Sequence, residues 1–193
     1  MHIQYHIMNK LFPLILLAAV FFSGCRSTTK IRIFLLTPDE SLKCLNSSDI
    51  KCELRPITLP NYLNRREFVK RIGEDELQIQ RSWLWAETSE HSINAAFEQN
   101  LKALLGEDNV LPYGTAKGDT PVLLISVHHL EVNDDMFVAD FHCRLKTSGK
   151  ATLEKQLSWK TTVDSDVPYI KYYKQAMTEM ARQTAAWLVE TQN

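Results

Sequence analysis

Odd-numbered Leu123, Ile125 and Val127, and again Phe137, Ala139, Phe141, Cys143 and Leu145, are apolar and alternate with mostly polar neighbours, the period of half-buried strands. For the two runs to share an apolar face, odd positions must stand opposite odd positions, which needs a loop of odd length. This predicts a three-residue turn at Asn133-Asp134-Asp135 with Val132 opposite Met136. The same rule applied to Leu145 and Leu153 places Ser148-Gly149-Lys150 at the next turn, with Leu157 and Trp159 continuing the face. Helical spacing dominates elsewhere. Ile93, Ala96, Phe97, Leu101, Leu104 and Leu105 make one stripe of a helix over 89–105, interrupted only by Asn100 and stopped by Gly106. A second helix over 167–191 gathers Tyr169, Tyr172, Tyr173, Ala176, Met177, Met180, Thr184, Trp187 and Leu188. Shorter runs predict strands over 31–36, 53–59, 67–72 and 76–80, punctuated by Pro38, Pro60 and Gly73. Together these predict an α/β fold: a single sandwich domain whose mixed, largely antiparallel sheet is packed by two long amphipathic helices.

The amino end follows neither period. The uncharged run 11–25 is 15 residues long, preceded by Lys10 and closed by Ser23 and Gly24. A permanent helical span needs about 20 residues, whereas a secretory signal has this organisation. Phe22-Ser23-Gly24-Cys25 resembles the lipobox of bacterial lipoproteins, with Phe22 where Leu, Ile or Val is usual. That resemblance implies a lipoprotein signal peptide over 1–24, a diacylglyceryl group on Cys25 and a lipidated tether over 25–30. The single domain then occupies 31–193. An ordinary cleaved signal and a retained anchor are the competing readings. In the lipoprotein pattern an Asp after the cysteine favours retention in the inner membrane, and Arg26 stands there. The implied address is the outer membrane, with the domain facing the periplasm. The tether from Arg26 to Lys30 has five residues, at most about 18 Å fully extended.

Charge and cysteine usage refine this picture. All 23 acidic residues follow Cys25 while Lys10 precedes it, so a chain beginning at Cys25 has 21 basic residues and a net charge of −2. That balance points away from nucleic acid. The basic cluster Arg65, Arg66, Lys70 and Arg71 is interrupted by Glu67, as a solvated surface would be, with contact to an acidic partner or lipid headgroups as the alternative. An oxidising compartment permits a disulfide between Cys44 and Cys52 across a short polar loop, with two separate thiols as the alternative. Cys143 reads as a buried thiol.

Candidate chemistry is sparse. Even-numbered Ser126, His128, Asp140 and His142 fall on the face opposite the apolar one, with His128 across from Asp140 and Ser126 across from His142. A hydrolase would want its serine on a sharp turn beside backbone donors, and Ser126 lies mid-strand. His128 and His129 point to opposite faces and cannot chelate one ion. No cofactor or metal is implied, so a polar sheet face is the plain reading. Trp83-Leu84-Trp85 and Tyr62-Leu63 are apolar residues beyond an obvious core. Trp83 and Trp85 are expected either in a loop folded over the sheet edge or in an aromatic contact for a partner protein or an acyl chain. Tyr62 and Leu63 pose the same choice.

Leu59-Pro60-Asn61-Tyr62-Leu63-Asn64-Arg65, then Glu67-Phe68-Val69-Lys70-Arg71, then Trp85-Ala86-Glu87 opening a helix, with Asn100-Leu101 and Leu105-Gly106 further on, carry a resemblance. The pattern is similar to the PqiC-like ABC-type transport auxiliary lipoproteins, components of bacterial MCE transport systems, and covers most of the chain after Ile31. Arg66 stands where a proline often follows the arginine, and the Cys44/Cys52 loop is outside the pattern. The resemblance implies a non-enzymatic lipoprotein working with an MCE-domain protein that carries phospholipid between membranes. Tyr62, Leu63, Arg65, Trp83 and Trp85 would then contact partner or lipid, and self-association is compatible with the role. A lipoprotein hydrolase using His128 and Asp140, or a general envelope-assembly lipoprotein, are the competing classes.

Overall fold

The computed structural model describes residues 30–45 and 50–191. Its elements run β1 (Arg32–Phe34), β2 (Cys52–Leu54), β3 (Glu67–Ile72), β4 (Glu76–Trp85), α1 (Ser89–Leu105), β5 (Val110–Leu111), β6 (Val122–Asn133), β7 (Met136–Lys146), β8 (Leu153–Thr162) and α2 (Ile170–Glu190). The described residues form one eight-stranded mixed sheet with two helices. β6, β7 and β8 are an antiparallel meander, and β3 and β4 an antiparallel hairpin. The pairs β1/β4, β3/β6, β2/β6 and β2/β5 are parallel. One edge of β6 pairs with β7 along its length, while the other is divided between β2 at Val122 and Leu123 and β3 at Val132 and Asn133.

The predicted apolar face of β6 and β7 forms, with Leu123 opposite Leu145, Ile125 opposite Cys143 and Val127 opposite Phe141. The parity argument holds but its odd residue lies elsewhere. The turn contains only Asp134 and Asp135, Asn133 stands opposite Met136, and a bulge between Val127 and His129 supplies the extra residue. Beyond the bulge the even-numbered Leu130 and Val132 become the buried positions, because one inserted residue reverses which side chains face the core. Asp134 holds the turn in the left-handed region at φ 52°, which aspartate tolerates better than most residues. The next turn matches its predicted register, with Leu145 opposite Leu153 and Gly149 at φ 68°.

α1 has the bounds its pattern predicts. Thr88 caps it by accepting the His91 N–H, and Gly106 ends it at φ 102°. The polar interruption Asn100 is buried because its Oδ1 accepts the Asp39 N–H at 2.8 Å. Asn94 similarly accepts the Ile57 N–H at 2.6 Å, and the Ser89 hydroxyl donates to the Leu63 carbonyl at 2.6 Å. Polar residues on this helix thus fix the loops that approach it. α2 begins at Ile170, three residues later than predicted, with Pro168 in the preceding turn. Both helices meet the apolar side of the sheet: Phe97 meets Phe141, Tyr173 meets Phe137, and the Thr184 hydroxyl lies 3.8 Å from the Cys143 sulfur.

Several predicted strands change length. The strand expected over 53–59 stops at Leu54, because Pro56 has no N–H to continue a ladder, and pairing resumes only at Thr58 beside Ser126. The strand expected over 31–36 shortens to Arg32–Phe34. β4 instead runs five residues past Gln80, so 83–85 is strand and not a loop. Cys44 and Cys52 are both free, so the expected disulfide is absent. Cys52 is buried in β2 while Cys44 is exposed, its thiol directed to the Leu45 carbonyl at 3.3 Å. Cys143 is the buried thiol expected, and burial pushes it up to about 11 and Cys52 to about 12.

Candidate functional site

The segment after β2 turns at Pro60 into a short 3-10 helix, Asn61–Leu63, which sends Leu63 into the core. Tyr62 is half-buried and its phenol donates to the Glu131 carboxylate at 2.7 Å. Arg71, near the end of β3, donates through Nε to the other carboxylate oxygen at 3.0 Å. The Leu130 N–H donates at 2.8 Å, and His129 Nδ1 lies 3.1 Å away. Arg71 also covers the Tyr62 ring, 5.6 Å from its centroid. Glu131 is only 1% exposed. Residues from a loop and two strands therefore converge on one buried charge.

Burial by itself pushes the Glu131 carboxyl up. The donors Tyr62, Leu130 N–H, Arg71 and His129 outweigh it and hold the group below its ordinary value. The same burial, then the neighbouring carboxylate, raises Tyr62, and Glu131 keeps Arg71 firmly charged. Behind this cluster the Tyr173 phenol donates to the Leu130 carbonyl at 2.9 Å, and burial raises it well above its ordinary value. The arrangement suits a fixed electrostatic clasp. It has no free nucleophile and no emptied ligand position.

The other predicted site residues are dispersed. Arg65 is at the surface, 3.7 Å from Glu67. Trp85 is 2% exposed and stacks on Phe68 at 4.4 Å. Trp83 is half-buried between Phe34 and Tyr169, with Arg32 over its ring. Leu63 and Trp85 are core residues and offer no free contact surface, and the burial of Tyr62 against Glu131 leaves only part of its ring accessible. The signal peptide and the lipidation site Cys25 lie outside the described residues.

Ser126 does stand opposite His142, but the bulge places His129 and not His128 across from Asp140. His142 faces Glu154 at 3.4 Å, and its ring lies 6.2 Å from that of His128. The proposed serine, histidine and aspartate are therefore not assembled as a relay. Among the described residues no three His, Cys, Asp or Glu side chains are grouped to hold a metal ion. Glu131 was absent from the sequence-based candidates. Its signal was a lone carboxylate between Leu130 and Val132, which requires a partner if that stretch is buried.

Tyr62, Arg71 and Trp85, all in the quoted motifs, thus join the loop to the sheet. The model of the family described as ABC-type transport auxiliary lipoprotein component matches residues 35–185. The chain belongs to this family. Among solved structures, the auxiliary lipoprotein domain is similar to an uncharacterized protein at TM-score 0.67 and 15% identity, covering 82% of this chain and 99% of the other. It is also similar to a Xanthomonas campestris protein of family DUF330, at TM-score 0.57 and 14% identity, with 83% and 96% covered. At these identities the likeness concerns the fold alone. No curated protein matches this auxiliary lipoprotein by sequence. Among its described residues, no helix is long and apolar enough to cross a membrane.

Proposed function

We propose that this protein is a non-enzymatic lipoprotein of the outer membrane, held by acylated Cys25 and facing the periplasm, that serves an MCE-type intermembrane lipid transport system. Its role is to dock, cap or align the outer end of the conduit formed by an MCE-domain partner. The family match over residues 35–185 carries this reading. The geometry supports it by spending the motif residues on architecture: Tyr62 and Arg71 bind Glu131, and Trp85 fills the core. The same loop leaves Asn64 and Arg66 exposed, with Arg65 at the surface beside them. These polar residues are the side chains left for a partner to read. The short tether makes the partner reach across to this domain and keeps the domain from travelling to it.

A pull-down of the full lipidated protein from envelope extract tests the proposal. An MCE-domain protein should co-purify, Arg65→Glu with Arg66→Glu should weaken its recovery, and His128→Ala with Asp140→Ala should leave it unchanged. Recovery without any MCE protein would overturn the assignment, as would a hydrolytic activity abolished by the His128 and Asp140 changes.

A further inference from the structure

β1 is an edge strand with two unlike faces. Phe34 and Leu36 turn to the side of the helices, where Phe34 meets Phe68 and Trp83 and Leu36 is buried. Alternating with them, Ile33 within the strand and Ile31 and Leu35 just outside its two ends are 62%, 60% and 56% exposed. A free sheet face ordinarily carries polar residues at these positions. Inward of β1, Ile33 stands beside Leu84, which is half-buried; the β3/β4 ladder shifts between Glu67 and Phe68 and Val69 beyond it is buried, so the exposed aliphatic band is confined to the edge. A row of exposed aliphatic side chains on an edge strand is a liability unless something covers it.

We propose that this β1 face rests on the bilayer, with Ile31, Ile33 and Leu35 entering the boundary between headgroups and acyl chains of the membrane that holds the lipid on Cys25. The inference rests on the lipoprotein reading above. Chain length favours the bilayer as occupant: five residues separate Cys25 from Ile31, so the band begins within about 20 Å of the anchor. Nothing imposes that proximity on a partner protein. Composition agrees, because the band is aliphatic, whereas protein contacts concentrate their energy in Trp, Tyr and Arg. The diacylglyceryl group on Cys25 would hold the chain at the membrane through its two acyl chains, and a protein contact beside it adds to that attachment. β1 supplies that contact and also fixes how the domain faces the periplasm.

The test uses the full lipidated chain carrying Cys44→Ser, which removes the exposed thiol, and Ile33→Cys labelled with an environment-sensitive fluorophore. The protein is reconstituted in vesicles of phosphatidylethanolamine and phosphatidylglycerol, with and without nitroxide-bearing phospholipid. Gln99→Cys, on the exposed side of α1, is the reference, and Leu35→Cys is a second position in the band. Quenching at positions 33 and 35 should exceed that at 99 by about threefold or more, as expected for side chains seated at the interface. Equal quenching at all three positions on vesicle-bound protein overturns this inference and leaves the lipoprotein reading standing. Protein that fails to float with the vesicles overturns both. Protection of position 33 only when envelope proteins are added assigns the face to a protein partner and overturns the bilayer contact.

Discussion

Glu131→Gln is the most informative substitution in the domain, because it keeps the shape of a buried side chain and removes only its charge. The carboxylate receives the Tyr62 phenol, the Leu130 N–H and the Arg71 Nε at 2.7, 2.8 and 3.0 Å. A glutamine offers one acceptor oxygen in place of two, and its amide nitrogen must face either Arg71 or the Leu130 N–H, donor against donor. Hydrogen bonds to charged groups contribute about 1.5–3 kcal/mol each, and losing one partner of a buried ion pair costs about 3–5 kcal/mol. The expected loss at neutral pH is therefore about 2–4 kcal/mol, below the sum because Arg71 keeps its bond to the Glu74 carbonyl. The pH dependence provides an internal control. Glu131 is held below its ordinary value of 4.5 in the fold, so its contribution is fully present above that value and lost as pH falls through the folded pKa. Urea unfolding of the full chain in mild detergent, followed by tryptophan fluorescence at pH 7 and at pH 3, measures both effects. The gap between wild type and Glu131→Gln should be large at pH 7 and shrink at pH 3. An equal midpoint at pH 7, or a gap that does not change with pH, would refute the clasp.

Tyr62→Phe should lower stability by about 1–3 kcal/mol and add little when combined with Glu131→Gln, since both remove the same bond; strict additivity in a double-mutant cycle would count against the contact. Trp85→Ala should cost about 3–5 kcal/mol, seen as a lower unfolding midpoint, and no change would mean the indole is outside the core. Cys44 should react with a maleimide in the folded protein within minutes, whereas Cys52 and Cys143, raised to about 12 and about 11 by burial, should label only on unfolding; mass spectrometry reads the sites, and protection of Cys44 reversed by reductant would revive the disulfide. Cys25→Ala should abolish palmitate labelling and release the protein from the membrane fraction, and continued labelling would exclude this cysteine as the acylation site.

Local periodicity was the legible part of this fold. α1, the β3/β4 hairpin and the shared apolar face of β6, β7 and β8 are all written in alternation or helical spacing. The bulge near His128 was not, because an inserted residue changes parity just as a longer loop does, and the sequence alone cannot separate a two-residue turn plus a bulge from a three-residue turn. That degeneracy moved Asp140 from His128 to His129 and dissolved the candidate relay. The pairing of β1 with β4 is parallel and non-local, so no short-range signal announces it. Without it, Trp83 and Trp85 looked surplus, although strand alternation puts both indoles on the helix side. Glu131 illustrates the converse case: its partners Tyr62 and Arg71 are 69 and 60 residues away, so its identity was visible and its company was not.

The divided edge of β6 has a mechanical consequence. A pull on the amino end of β1 would cross to β4 and β3, and reach β6 through a backbone seam formed by Lys70 beside Val132 and Arg71 beside Asn133. Two residue pairs make a narrow seam, and a pull across it would part them one after the other. The carboxylate of Glu131 sits on the far side of that seam and grips Arg71 from the near side, so a side-chain bond stitches the ladder where it is shortest. The β1–β4–β3 part of the sheet and the part built on the meander are thereby joined, where their shared ladder is shortest, by a buried side-chain bond as well as by backbone.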